Sequence, residues 1–220
     1  MTTTIEVNHR STSNPYVALQ WLRSLPNIAA FDFEAAVRYT PEELERYQQL
    51  HDYHCISPTY KIHLNSKLKA TALSHPAHVA PTHLSVATSE SEAFVIILDT
   101  PRITQIVMNW LVSTPITQIW HNASYDFKLI HYYTAGKLPK NYEDTAILAK
   151  SILNHVEVQK ASVKLKELMG YKYGAWAVAA DYFDLSQMYN PDLIYYAATD
   201  AAATFCLWEE MQEFLAKEEE

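Results

Sequence analysis

A chain of 220 residues with 49% hydrophobic content can bury one sizeable core, and a single domain is expected across residues 1–220. Its formal net charge of -8 excludes a sequence-blind coat for duplex nucleic acid, which owes its affinity to basic surface. The two cysteines, Cys55 and Cys206, lie far apart, and no run approaches about eighteen apolar residues; the reading is a cytoplasmic protein with reduced thiols and no membrane partner.

In chain order, Asn14-Pro15 opens a first helix, because Asn caps and Pro suits the first helical position, and Pro26-Asn27 ends it. The apolar run from Ile28 to Ala36 then reads as a buried strand carrying Phe31-Asp32-Phe33-Glu34. Side chains alternate along a strand, so Asp32 and Glu34 share one face while Phe31 and Phe33 take the other, toward a core. Two carboxylates held together resist joint ionisation unless a cation or hydrogen bonds compensate, so the pair predicts a site for a hard divalent metal, provided further acids arrive. Thr40-Pro41-Glu42-Glu43 has the spacing of a capping box and starts a second helix that runs to about Tyr53.

Periodicity is lost from about His54 to His78, where Ser, Thr, Pro and His accumulate, and this stretch is read as a loop-like insertion. Six of the ten histidines fall between His51 and His83. His51-x-x-His54-Cys55 and His75-x-x-His78 have zinc-ligand spacing, but no other zinc-domain signal accompanies them. Leu84 to Ala87 and Ala93 to Leu98 are strand-like and joined by a short polar link, which makes a hairpin. With the acidic strand they give three antiparallel strands.

Thr100-Pro101 starts a helix, Ile116 to Trp120 follows as a short strand, and helices are expected at about Ser124 to Tyr133, Asp144 to Leu153, Ser162 to Met169 and Asn190 to Ala216. The class is therefore α/β, with a mixed central sheet that passes from a meander into β/α units and is flanked by helices. Between Lys128 and Lys172 eight lysines stand against four acids, a basic flank that suits a phosphate backbone led toward metal ions. Tyr171, Tyr173, Trp176 and Met188 are candidates for stacking on bases, although such clusters more often pack in a core.

Two further acids complete a constellation. Asp126 sits in His121-Asn122-Ala123-Ser124-Tyr125-Asp126, directly after a strand and at the start of a helix. Asp200 lies deep in an alanine-rich helix, one turn from Tyr196 and on the same face. Asp144 reads as structural, a helix cap or a hydrogen-bond acceptor.

Asp32-x-Glu34, Asn122-x-x-Tyr125-Asp126 and Tyr196-x-x-x-Asp200, in that order, resemble the three exonuclease motifs of the DnaQ-like superfamily, in its DEDD branch with a tyrosine in the third motif. The segments Asp144-Thr145-Ala146-Ile147-Leu148 and Val163-Lys164-Leu165-Lys166-Glu167-Leu168 resemble those that link the motifs in the proofreading domains of family A DNA polymerases. The resemblance implies an RNase H-like fold and hydrolysis of single-stranded DNA from its 3′ end to nucleoside 5′-monophosphates. It also implies two divalent cations, Mg²⁺ or Mn²⁺, held by Asp32, Glu34, Asp126 and Asp200. Tyr196 and Glu34 would orient the attacking water, and Asn122 and Tyr125 would bind near the terminal nucleotide.

At Ala35 the sequence departs from the polymerase pattern, which carries Thr there and uses its hydroxyl on the terminal sugar. Because the chain ends soon after the third motif, the expectation is an exonuclease that works alone or meets a DNA polymerase in trans, in replication or repair. The alternatives are an RNA exonuclease resembling ribonuclease D, and a non-catalytic binding module, whose hallmark would be a missing acid.

Overall fold

The computed structural model describes residues 4–37, 76, 79–155, 162–177 and 185–218. The helix predicted from Thr40, the insertion at 54–78 apart from Pro76, Cys55 and the histidine pairs at 51/54 and 75/78 lie outside them. The helix α1 (Pro15–Arg23) starts as its capping residue dictates: the Asn14 side chain accepts from the backbone N–H of Tyr16 at 2.9 Å and of Val17 at 3.4 Å. The acidic strand is β2 (Ile28–Val37), and β3 (Val79–Ala87) and β4 (Glu92–Ile97) complete the expected meander. The register pairs Asp32 with Ser85 and Glu34 with His83, and a bulge falls between Glu34 and Ala35.

Sequence periodicity does not reveal two strands. The edge strand β1 (Asn8–Thr12) is exposed and polar, and it is held by parallel pairing with β4. The strand β6 (Tyr142–Asp144) is three residues long, too short for alternation to register, and it pairs parallel with β5 (Thr117–Trp120). The six-stranded sheet has the order β1-β4-β3-β2-β5-β6, and only β3 runs against the other strands.

Among the described residues the remaining α-helices are α2 (Pro101–Ser113), α3 (Ser124–Tyr133), α4 (Thr145–His155), α5 (Leu165–Tyr173) and α6 (Pro191–Glu218). Alternation along β2 divides the core in two. Phe31, Phe33 and Ala35 pack with α1, α2 and α3 on one face of the sheet, whereas Ala30 packs with α4, α5 and α6 on the other. Phe31 and Phe33 both stack on Trp120, with ring centroids 5.4 and 5.9 Å apart.

On the opposite face α6 comes close to the sheet because its contact residues are small. Ala197, Ala198, Ala201, Ala202 and Ala203 are fully buried. This close approach is what brings a carboxylate on α6 against carboxylates on β2. Among the described residues no helix is long and apolar enough to cross a membrane.

Candidate active site

Asp32 and Glu34 project from β2 on the face covered by α6, and Asp200 reaches them from the middle of that helix. One carboxylate oxygen of each lies within 4.8 Å of the others. Asp126 joins them by a different route. The pairing of β2 with β5 reaches Ala30 opposite Ile119, so the N–H of Phe33 lies beyond that ladder. The first turn of α3 supplies an acceptor instead: Asp126 Oδ1 takes the Phe33 N–H at 3.1 Å. The carboxylate thereby satisfies a buried donor and is fixed beside the strand that bears the other two acids.

The loop before α3 is held by Asp144. Its Oδ1 accepts from the backbone N–H of Asn122 and of Ala146, and its Oδ2 accepts from that of Ala123, all at 2.9 Å. The residue ends β6 and caps α4, so the structural reading of Asp144 stands, and the helix begins at Thr145, one residue after the predicted start. Asn122 is held at φ 58°, a left-handed conformation that asparagine tolerates better than most residues. Thr145 Oγ1 donates to Trp120 O at 3.1 Å and lies 2.8 Å from His121 Nδ1, which adds a second tie between α4 and this loop. Replacing Asp144 with Ala is expected to lower unfolding free energy by about 2–3 kcal/mol, because several N–H groups lose a charged acceptor, and Asp144→Asn by less. Urea titration of both variants checks the order.

Asp200 has donors on both oxygens. Trp176 Nε1 donates to Oδ1 at 2.5 Å, and Lys166 Nζ lies 3.4 Å from Oδ2. The same ammonium donates to Tyr196 Oη at 2.5 Å and sits 4.3 Å from the centre of that ring. Nothing in the sequence alone marks Lys166 and Trp176 as partners of the acids. Trp176 is buried at Asp200, and Tyr173 is buried with its hydroxyl within hydrogen-bond distance of both Glu90 O and Ala202 O, so neither ring is available for stacking on bases. Nor is the lysine-rich flank uniform: Lys172 is tied to Glu210 at 2.9 Å and Glu90 at 3.7 Å, while Lys164 pairs with Glu167 at 3.0 Å.

The electrostatics follow from four acids facing one ammonium. Burial raises the affinity of Asp32 and Glu34 for protons far above the ordinary carboxylate range, and the neighbouring carboxylates add to it while Lys166 opposes it. Burial pushes Asp126 up to about 7 against the pull of the Phe33 N–H, and burial raises Asp200 against Lys166 and Trp176. Tyr125, half-buried at the start of α3, is pushed up to about 12 by burial and by Asp126, Glu34 and Asp32, which places its hydroxyl in the same field. An all-oxygen donor set with excess negative charge fits a hard divalent cation and does not fit a soft one.

His83, the one described member of the histidine-rich stretch, is fully buried. Its Nε2 lies 2.6 Å from Met188 O and its Nδ1 lies 3.0 Å from Thr82 Oγ1, so it ties β3 to the segment before α6. Burial lowers it to about 4. Ala35 belongs to the core with Phe31 and Phe33, so a hydroxyl at this position would point away from the acids.

Two opposing slopes in stability follow for the metal-free protein. Carboxylates whose folded values are raised contribute stability that is present at low pH and lost as pH rises, through about 7 for Asp126. His83, whose folded value is depressed, contributes stability present above its unfolded value of about 6.5 and lost as pH falls toward about 4. Between about 4 and 6.5 the two slopes oppose each other, and the raised carboxylates outnumber the histidine, so melting in chelator is expected to fall as pH rises across this range. Calorimetry checks it: Asp126→Asn should make the fall shallower and His83→Gln should make it steeper.

A family model described as 3′-5′ exonuclease matches residues 74–216, which include Asp126, Tyr196 and Asp200; β2 with Asp32 and Glu34 lies before the match. No curated protein matches the sequence. Among solved structures, Brucella melitensis NrnC with bound Mg²⁺ is similar at 14% identity and a TM-score of 0.57, over 98% of this chain and 84% of that one. The catalytic core of RRP6 from Trypanosoma brucei is similar at 12% identity and a TM-score of 0.61, over 98% of this chain and 50% of that one. The fold is that of the RNase H-like exonucleases, in agreement with the motif resemblance. The family match spans well over half of the residues, so the chain belongs to the 3′-5′ exonuclease family.

Proposed function

We propose that the protein hydrolyses single-stranded DNA from its 3′ end and releases nucleoside 5′-monophosphates, with Asp32, Glu34, Asp126 and Asp200 holding two divalent cations, Mg²⁺ or Mn²⁺. The observation that carries this reading is the meeting of half-buried Asp32 with buried Glu34 and Asp200 in one cluster, with Asp126 hydrogen-bonded to the strand between the first two. In the reaction, the oxygen of water bonds to the terminal phosphorus as the bond from phosphorus to the preceding 3′ oxygen breaks. One proton of that water ends on the departing 3′ oxygen and the other passes to solvent. Divalent cations supply Lewis acidity and charge neutralisation to such a displacement.

The chain's own groups provide the positions. Asp32 feels the charge of Glu34, Asp200 and Asp126 alike, so it is the residue assigned to both cations. Tyr196 is half-buried, and burial with the nearby carboxylates raises its hydroxyl well above the usual range, so it acts as a neutral group that orients water and not as a base. Asn122, exposed on its left-handed turn, and Tyr125 are assigned to the terminal nucleotide.

DNA is preferred because the linking segments resemble the polymerase proofreading domains and lie within the residues matched by the family model. A DNA polymerase in trans is the partner this reading implies. RNA is the second reading, favoured by the similarity to Brucella melitensis NrnC bound to pGG. Labelled single-stranded DNA and RNA of one sequence, each with Mn²⁺, provide the test. Mononucleotide release from DNA that is lost in Asp32→Ala supports the proposal. Faster release from RNA replaces DNA with the second reading, and intact substrates in both arms refute a nuclease role for this cluster.

A further inference from the structure

We propose that Lys166 is the resident counter-cation of the acidic cluster and is exchanged for a divalent cation when one binds. The inference rests on the assignment of Asp200 as a metal ligand made above. It starts from an ammonium that already occupies that ligand: Lys166 Nζ is 3.4 Å from Asp200 Oδ2 and 2.5 Å from Tyr196 Oη, flanked by the Tyr196 ring at 4.3 Å and the Trp176 ring at 5.7 Å.

Both aromatic faces and the carboxylate favour a cation at this spot, and Lys166 is the cation that offsets the repulsion among Asp32, Glu34 and Asp200. A divalent ion on Asp200 and an ammonium beside it would repel each other, because neither is fully screened by water at a partly exposed site. Trp176 can remain, since a carboxylate has lone pairs for an indole N–H and a cation together. The ammonium has to yield. It is able to, because the Lys166 side chain is 41% exposed and stands on a flexible four-carbon stem in the first turn of α5. Its departure also removes a donor from Tyr196 Oη, so one event would make Asp200 a ligand and reorganise the hydrogen bonding of the tyrosine.

The test uses the full chain stripped of metal by a chelator and two readouts other than activity. Brief acetylation with acetic anhydride, followed by peptide mass spectrometry, is expected to label Lys166 several-fold faster at saturating Mn²⁺ than without it, while exposed Lys164 two residues away is unchanged. Calorimetric titration is expected to give Lys166→Met roughly tenfold tighter Mn²⁺ binding than the parent, and Lys166→Arg no tightening, because competing ligands lower each other's affinity reciprocally.

Labelling of Lys166 that is unchanged or slower with Mn²⁺ overturns the exchange, as does equal or weaker Mn²⁺ binding by a folded Lys166→Met. The labelling arm decides the matter alone if that variant does not fold. Absence of any Mn²⁺ binding that Asp200→Ala abolishes would instead remove the metal assignment, and the exchange with it.

Discussion

Replacement of Asp200 by alanine is expected to reduce 3′-end hydrolysis by about a thousandfold or more, with the fold retained. The magnitude follows from the role assigned to the carboxylate: charge stabilisation by a metal contributes several kcal/mol to such a displacement, and about 4 kcal/mol is a factor of a thousand. Retention of the fold follows from where the charge sits. Burial raises the proton affinity of Asp200, and its neighbours Asp32 and Glu34 are themselves acids held against burial, so the alanine variant loses repulsion as well as hydrogen bonds. Its melting temperature in chelator should stay near or above that of the parent, while the increase produced by Mn²⁺ disappears. Tyr196→Phe provides the contrast: if its hydroxyl only orients water, as proposed, the variant is expected to keep a reduced but measurable rate, with the Mn²⁺-induced increase intact. Single-turnover rates beside melting curves measure both; an active Asp200→Ala protein would remove this residue from the chemistry.

The second large effect is on stability. Trp120 is fully buried and stacks on both Phe31 and Phe33, the two residues that alternate with Asp32 and Glu34. Trp120→Ala is expected to cost about 3–5 kcal/mol, since truncation of a core aromatic leaves a cavity that its neighbours fill only in part. That is a large share of the roughly 5–15 kcal/mol by which domains are stable. Because the stack lies directly behind the acids, the variant should also lose affinity for Mn²⁺ at temperatures where it remains folded. Trp120→Phe, which keeps a ring against the phenylalanines, should recover most of both. Urea denaturation and calorimetric Mn²⁺ titration separate the two effects; a loss of stability below about 1 kcal/mol would show that the acidic strand is held by other contacts.

Local sequence carried the α/β class and the meander, because each rests on a short-range rule, whereas the set of four acids came from the resemblance of three motifs to a known family. Alternation alone placed Asp32 and Glu34 on one face and Phe31 and Phe33 on the other, and the structure divides the core along that line. Asn14-Pro15 and Thr100-Pro101 marked helix starts because a cap is a contact between residues two or three apart. The edge strand β1 was not legible, since a polar, exposed strand leaves no periodic signature and exists only by pairing with β4.

Tertiary structure decided how the acids are held. That Asp126 satisfies the Phe33 N–H depends on where β5 ends, and that Asp144 clamps the loop of Asn122 depends on a strand 22 residues further on. Lys166 and Trp176 reached Asp200 from 34 and 24 residues away, over a distance at which sequence spacing carries no information about contact. The sequence by itself therefore determined which groups can ionise and on which faces of their elements they lie, because backbone geometry is local. Only the packed chain determined which donors those charges meet, because that follows from the close approach of an alanine-faced helix to the sheet.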